Sequence, residues 1–256
     1  MPEIRPRPAV VSQFVEKRGH LAHGDGIAPH RHVQGQLLYP SAGVLATTTE
    51  RGTWVAPANR VAWTPPGFEH YSRAYGQTEV RVLEFSGELS ASLPDQPTVF
   101  EVSPLLREAL LVLTSRTLRP EARERLRGVV VDELVVGPDE AMYLPAASDD
   151  RLRAVTDLLH ADPAASLTLA EFGRTVGAGE RTLSRLFQTE LGMSFHQWRS
   201  LLRVQHALIR LAEGDAVIDT AARLGWANPT SFIEAFTAVV GQTPGRYQQE
   251  LRRAGR

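Results

Sequence analysis

The stretch from Ser166 to Tyr247 repeats itself, and that repeat limits the possible folds more than any other feature of the chain. Leu183, Leu186, Phe187 and Gly192 recur 49 positions later as Phe232, Ala235, Phe236 and Gly241. Upstream, Gly173, Val176 and Gly177 recur at an offset of 48 as Ala221, Leu224 and Gly225. The one-residue slip falls where a turn is expected, the least demanding place for a change of length. Each copy reads as two short helices around that turn, a helix-turn-helix unit.

In the first copy Leu169, Phe172 and Val176 give a helical stripe that stops at Gly177-Ala178-Gly179. Leu183, Leu186, Phe187 and Leu191 then give a second stripe. Gly173 stands where the helices should cross, and its small size permits close approach. In the second copy Val217, Ile218, Ala221 and Leu224 are expected to form the support helix. Asn228 offers an N-cap and Pro229 suits the first helical position, where its missing N–H costs nothing. Between the copies, residues 194–212 are apolar on two sides, which predicts a helix buried between two small bundles.

The outward face of the first copy's second helix is Arg181, Thr182, Ser184, Arg185 and Gln188. Arg181 and Arg185, four apart, are neighbours on that face. A helix of this shape fits the major groove, where an arginine fork matches guanine O6 and N7. The bland reading is a solvated helix with no partner; two matched copies on a rigid connector weigh against it. The motifs RTLSRLFQTELGMSFHQWR and AARLGWANPTSFIEAFTAVVGQTPGRY resemble the AraC/XylS family of bacterial transcription regulators. The resemblance is strong over residues 154–252 and looser over the whole chain. It implies base-reading positions at Arg181, Ser184 and Arg185, then at Thr230, Ser231 and Glu234. The second copy departs from the family, which usually carries basic residues at the places of Glu234, Thr237 and Ala238. A carboxylate can accept from cytosine N4 but repels phosphate, so the first copy is expected to hold most of the affinity.

At 256 residues the chain is long enough for two domains with proper cores. Its net charge of −1 gives little electrostatic help to a DNA binder. From Asp150 onward 13 arginines face 11 carboxylates, so binding must rely on where the arginines sit and on helix N-termini facing phosphates. The absence of cysteine excludes disulfides and thiolate metal sites. With no long apolar run and no apolar leader in MPEIRPRP, a cytoplasmic protein without membrane contact is expected.

Before residue 86 the pattern changes to short β-type runs: Ala9–Val15, Gln36–Tyr39, Val44–Thr49, Arg60–Trp63 and Val80–Phe85. Many short strands punctuated by glycine and by Pro65-Pro66-Gly67 suggest a small barrel or jelly roll. Five of the eight histidines lie here. If His30-Arg31-His32 is a strand, its two imidazoles share a face, Gln36 keeps that parity, and the Pro65–His70 turn delivers a third imidazole. His30, His32, Gln36 and Gly43, with Pro65, Gly67 and His70, resemble the two motifs of the cupin superfamily, departing from it by Gln36 in place of glutamate. Two readings stand. Three imidazoles and an amide oxygen hold a divalent ion such as Zn, Ni, Mn or Fe, or they are pocket-lining histidines without metal. For an organic effector, Tyr39, Trp54, Trp63 and Tyr71, with Phe85, are the aromatics available to line a pocket, or they are plain core.

Residues 103–117 and 121–136 read as a helical hairpin, with a seam of Leu106, Leu110 and Leu113. It packs on its own barrel or, as the family resemblance implies, joins two chains in a homodimer. The expected organisation is α+β. It comprises a cupin-like β-barrel or jelly roll over residues 1–95, a helical hairpin connector over 96–137, a linker over 138–150 and an all-α domain of two helix-turn-helix units over 151–256. The expected function is a transcription regulator. It binds double-stranded promoter or operator DNA, senses a small-molecule or metal effector, and works with RNA polymerase. The rival is a metal-dependent cupin enzyme, an oxygenase or isomerase, with a helical accessory domain.

Overall fold

The computed structural model describes residues 16–85, 87–135 and 142–254. The strand expected at Ala9–Val15, Val136 at the end of the second hairpin helix, and linker positions 137–141 lie outside the described residues. Two compact units divide the chain. One includes Trp54–Tyr143 with the strands before Glu50, and the other includes Leu144–Glu250 with Arg51–Thr53.

The first unit is built on an antiparallel sheet with a helical hairpin on one face. Its strands begin with β1 (Glu16–Leu21), β2 (Gly26–His30) and the 15-residue β3 (Gly35–Thr49). They continue through β4 (Gly52–Pro57), β5 (Arg60–Thr64) and the 16-residue β6 (His70–Phe85). After a short helix α1 (Gly87–Ala91) come β7 (Thr98–Glu101), the hairpin helices α2 (Pro104–Ser115) and α3 (Pro120–Val135), and finally β8 (Tyr143–Pro145). The sheet of this unit runs β1-β6-β3-β4, with β2 on β6 and β7 on β5, which in turn pairs with β3. Strand β6 is antiparallel to β1, β2 and β3.

Two expected runs, Gln36–Tyr39 and Val44–Thr49, are one strand. The register with β6 shifts around Ala42, so the chain bends there without leaving the sheet. Strands β3 and β5 are buried almost throughout because both faces are covered, so neither shows the alternation by which a half-buried strand is recognised. On one face Leu37, Tyr39, Trp63 and Phe85 pack with Leu106, Leu110, Leu113, Val130 and Leu134 of the hairpin. On the other, Leu38, Leu45, Ala74 and Val80 form a smaller cluster.

The hairpin is also tied down by polar contacts. Arg81 of β6 donates to Thr114 Oγ1 at 3.2 Å and Ser115 Oγ at 2.6 Å at the end of α2. Arg127 of α3 donates to Glu84 O and lies over the Phe85 ring, and Ser103, the N-cap of α2, donates to Glu133. The seam of Leu106, Leu110 and Leu113 is therefore filled by the chain's own sheet.

The second unit is all helical: α4 (Asp150–Ala161), α5 (Leu169–Val176), α6 (Glu180–Glu190), α7 (Phe195–Ala212), α8 (Val217–Arg223), α9 (Pro229–Val240) and α10 (Pro244–Ala254). The sequence repeat is a structural one. Gly177 after α5 and Gly225 after α8 both turn the chain in the left-handed region, at φ 70° and 71°. Two residues lie between Gly177 and the start of α6 and three between Gly225 and the start of α9, so the slip lies in the turn as expected. Asn228 caps α9 by accepting from Ser231 N, with Pro229 in the first turn. Ser194 and Gln197 form a reciprocal capping box at the start of α7. One expectation fails: Ile218 is 68% exposed, and α8 buries Thr220 and Ala221 instead. Ala221 and Leu224 are buried and Val217 half-buried as expected, so the inward face is Val217, Thr220, Ala221 and Leu224, and Ile218 stands one position outside it.

At Gly173 a Cβ would stand 2.3 Å from Ala178 O and 3.4 Å from Leu183 Cδ1. Gly173→Ala is therefore expected to destabilise this unit by about 1–3 kcal/mol through overpacking, against a helix-propensity gain of about 1 kcal/mol. Gly128→Ala in α3, where a Cβ meets nothing within 4 Å, is expected to stabilise by up to about 1 kcal/mol. Urea unfolding of the two variants checks the opposite signs.

Candidate functional site

The first candidate site is the outward face of α6. Leu183 and Phe187 turn into the core, which leaves the other side of the helix to solvent. There Arg181, Thr182, Ser184, Arg185 and Gln188 line one open concavity of about 660 Å³. Thr189 and Ser194 complete its wall. Both escaped the sequence reading, although Thr189 lies eight positions from Arg181, on the same helical face. Among the described residues neither the Arg181 nor the Arg185 guanidinium has an ion pair or hydrogen bond, and both side chains are exposed. Two unengaged forks beside hydroxyl and amide groups can donate to phosphates or to guanine edges. In the second copy Thr230 and Glu234 of α9 are exposed, whereas the Ser231 hydroxyl is held by Asn228 Oδ1 at 3.2 Å.

The two copies are joined through α7. Phe195, Trp198, Leu201 and Leu202 pack into the first bundle, with Trp198 Nε1 donating to Pro145 O at 3.2 Å. Arg203, which nothing in the sequence singles out, is buried. It donates to Pro163 O at 2.7 Å, Ala165 O at 3.1 Å and Gly225 O at 3.1 Å. Burial lowers its pKa, with Arg199 adding to the effect. The guanidinium thus links the loop after α4 to the turn of the second copy.

The second candidate site lies in the sheet unit. His30, His32 and His70 each offer a ring nitrogen, and these nitrogens lie within 4.8 Å of one another. The route to this cluster differs from the expectation. His30 ends β2, His32 lies in the loop before β3, and His70 opens β6, so strand parity does not align the first two. The loops do. Gly67 N donates to His32 O at 2.9 Å, which fastens the Pro65–His70 turn to the loop carrying His32. Gln36 is buried near the start of β3, opposite Thr64 and Glu84.

Each Nδ1 faces a main-chain carbonyl: His30 on Ala28 O at 2.8 Å, His32 on Gln34 O at 2.6 Å and His70 on Phe68 O at 3.1 Å. A carbonyl only accepts, so each Nδ1 carries a proton, and in the neutral ring Nε2 is the nitrogen with a lone pair to give. Nε2 of His32 and His70 is buried without a hydrogen-bond partner among the described residues. Burial lowers the His70 pKa to about 4, with His30 and His32 pushing in the same direction, so the ring is neutral near pH 7. Neutral imidazoles held by their second nitrogen suit a metal ion's ligands.

The aromatics expected to line an effector pocket are placed otherwise. Tyr39 and Trp63 are core residues, donating to Ala58 O at 3.0 Å and Pro94 O at 2.8 Å. Trp54 is buried against Tyr143, and Tyr71 is 43% exposed because it alternates with the buried His70. Phe85, by contrast, lines a cavity of about 450 Å³ with Val33, Pro65, Pro66, Leu93 and Pro94. None of the helices among the described residues is long and apolar enough to cross a membrane.

Two family descriptions match the chain. Residues 18–161 match the family described as AraC-like ligand binding domain, and residues 172–250 match that described as helix-turn-helix domain. The HTH-type transcriptional regulator NimR of Escherichia coli is 34% identical over 225 residues, covering 87% of this chain and 82% of that protein. The HTH-type transcriptional regulator RipA of Corynebacterium glutamicum is 34% identical over 103 residues, covering 40% of this chain and 31% of that protein. The solved structure of ToxT from Vibrio cholerae aligns with 91% of this chain and 97% of that chain, at 11% identity and a TM-score of 0.41.

Proposed function

Since the chain belongs to the AraC family of DNA-binding transcription regulators, with an N-terminal ligand-binding domain, we propose that it is a metal-responsive member. His30, His32 and His70 would hold the ion, and α6 would read the operator through Arg181, Thr182, Ser184, Arg185 and Gln188. The observation that carries the metal reading is the cluster itself: three converging rings, each protonated on the nitrogen that faces a carbonyl. A set of imidazoles favours zinc, nickel or iron over manganese, which prefers oxygen ligands. Gln36 is the amide that the cupin-like motif would add as an oxygen ligand. Bound there, a divalent ion supplies positive charge and a cross-link between β2, the loop before β3 and β6. If it binds one arrangement of the protein better than another, it shifts the population that binds DNA.

A sensor fits better than an enzyme. The carboxylate nearest in sequence to His70, Glu69, is exposed and paired with Arg31 at 3.0 Å, so it is engaged away from acid or base work. The cavity beside Phe85 offers room for a small apolar effector next to the loop that carries His32. Pairing of two chains would use the outer face of α2, where Leu105 is 56% exposed.

Elemental analysis of the purified protein is expected to find close to one equivalent of zinc, nickel or iron, and His30→Ala/His32→Ala to find none. Sub-stoichiometric metal in both retires the metal reading. Footprinting on DNA flanking the protein's own gene, with and without a chelator, then tests the response.

A further inference from the structure

At the offset of 49, five of the seven residues that line the α6 concavity find their counterparts on the outward face of α9, while Thr182 becomes Ser231, whose hydroxyl is held by Asn228, and Ser194 becomes Thr243 beyond the helix. Arg181 becomes Thr230, Ser184 becomes Ile233, Arg185 becomes Glu234, Gln188 becomes Thr237 and Thr189 becomes Ala238. Four of these five positions lose hydrogen-bonding capacity or positive charge and present a methyl group. Phe232, Phe236 and Val240 fill the core side of α9, so the outward stripe is spare to packing. Ile233 is 38% exposed, Thr230 and Ala238 are exposed, and Thr237 is partly so. The Thr237 hydroxyl donates to Ile233 O at 2.6 Å, within its own helix, so what it offers outward is its methyl.

From this we infer that the second unit reads DNA by methyl contact, selecting thymines through Thr230, Ile233, Thr237 and Ala238, with Glu234 accepting from a cytosine amine. The major groove displays the thymine 5-methyl as its only apolar group, and alkyl side chains are its ordinary partners. A carboxylate among them excludes guanine, which offers only acceptors in that groove, and favours the N4 amino group of cytosine. An exposed isoleucine on a helix that is otherwise well packed has a use on this reading. The inference rests on the proposal that the paired helices read an operator, and it gives the two halves of that operator different chemistry: guanine edges at α6, methyl groups at α9.

The test uses the full chain. Duplexes are selected from a random library. Each selected thymine is then replaced by deoxyuridine, which lacks only the 5-methyl, and binding is titrated by fluorescence anisotropy. Loss of one buried methyl should weaken binding roughly three- to fivefold, at thymines about one helical turn from the guanine segment. The loss should largely vanish in Ile233→Ser, whose change is exposed and should leave the fold intact. Glu234→Arg should move the preference at its own base pair from cytosine to guanine.

Selection of an Arg185-dependent guanine with no effect of deoxyuridine anywhere overturns the inference and leaves the reading by α6 standing. Selection of no guanine at all removes the reading on which it rests, and the inference with it. If Ile233→Ser leaves every DNA titration unchanged but lowers transcription by purified RNA polymerase, the face serves a protein and the inference is wrong.

Discussion

Arg181→Ala/Arg185→Ala is expected to remove most sequence-specific binding while leaving the protein folded. Each bidentate contact to guanine contributes roughly 1–3 kcal/mol of discrimination, so the pair together, if additive, is worth on the order of 30- to 20,000-fold in affinity. The two residues are neighbours on one turn of α6, and their effects need not add. Both guanidinium groups are solvent-facing and unengaged, so circular dichroism and thermal unfolding should barely change. The singles separate base from phosphate contact. A base-reading arginine relaxes specificity at one position, whereas a phosphate-binding one weakens all sequences alike and lowers the salt dependence. A uniform loss for both singles would sink base reading by this helix.

Arg203→Ala is expected to destabilise the helical unit by about 3–5 kcal/mol, a large share of the total stability of a domain of this size. The side chain donates to carbonyls of Pro163, Ala165 and Gly225, and its removal leaves acceptors on two separate segments without their charged donor. Gly225 has no room to compensate, since a Cβ there would stand 2.6 Å from Ala164 O at a φ of +71°. Arg203→Lys should rescue only a fraction, because a single ammonium cannot span the two segments as a planar fork does. Urea unfolding followed by tryptophan fluorescence measures the shift. A change below about 1 kcal/mol for the alanine variant would mean that water replaces the guanidinium without penalty.

The helical half of the fold was legible because its signals are local. Paired glycines at Gly177 and Gly225, the cap at Asn228, and stripes such as Leu183–Phe187 each fix a start, a stop or a face within a few residues. The strand half was less so. Strand β5 is legible as Arg60–Trp63 and β3 as two runs split at the bend near Ala42, while β1, β2, β4, β7 and β8 carry signals too short or too mixed to stand out. The histidines were found by spacing, but the reason given for their convergence, strand parity, is replaced by a loop and a turn tied together at Gly67 and His32. Arg203 could not have been picked out, since an arginine in a helix reads as solvent-facing until its tertiary partners are known. Ile218 misled in the opposite direction, as an apolar residue in a helix that faces outward.

The helix α7 has a consequence for how this protein could be shortened. Its first half closes the bundle of α5 and α6, and Leu208, further along it, accepts from the Tyr247 hydroxyl of α10 at 3.5 Å. A gene fragment ending inside α7 would strip a wall from whichever bundle it kept and bare a strip of leucine and valine. The two readers are thus indivisible, and halving the protein should yield aggregates in place of a smaller binder.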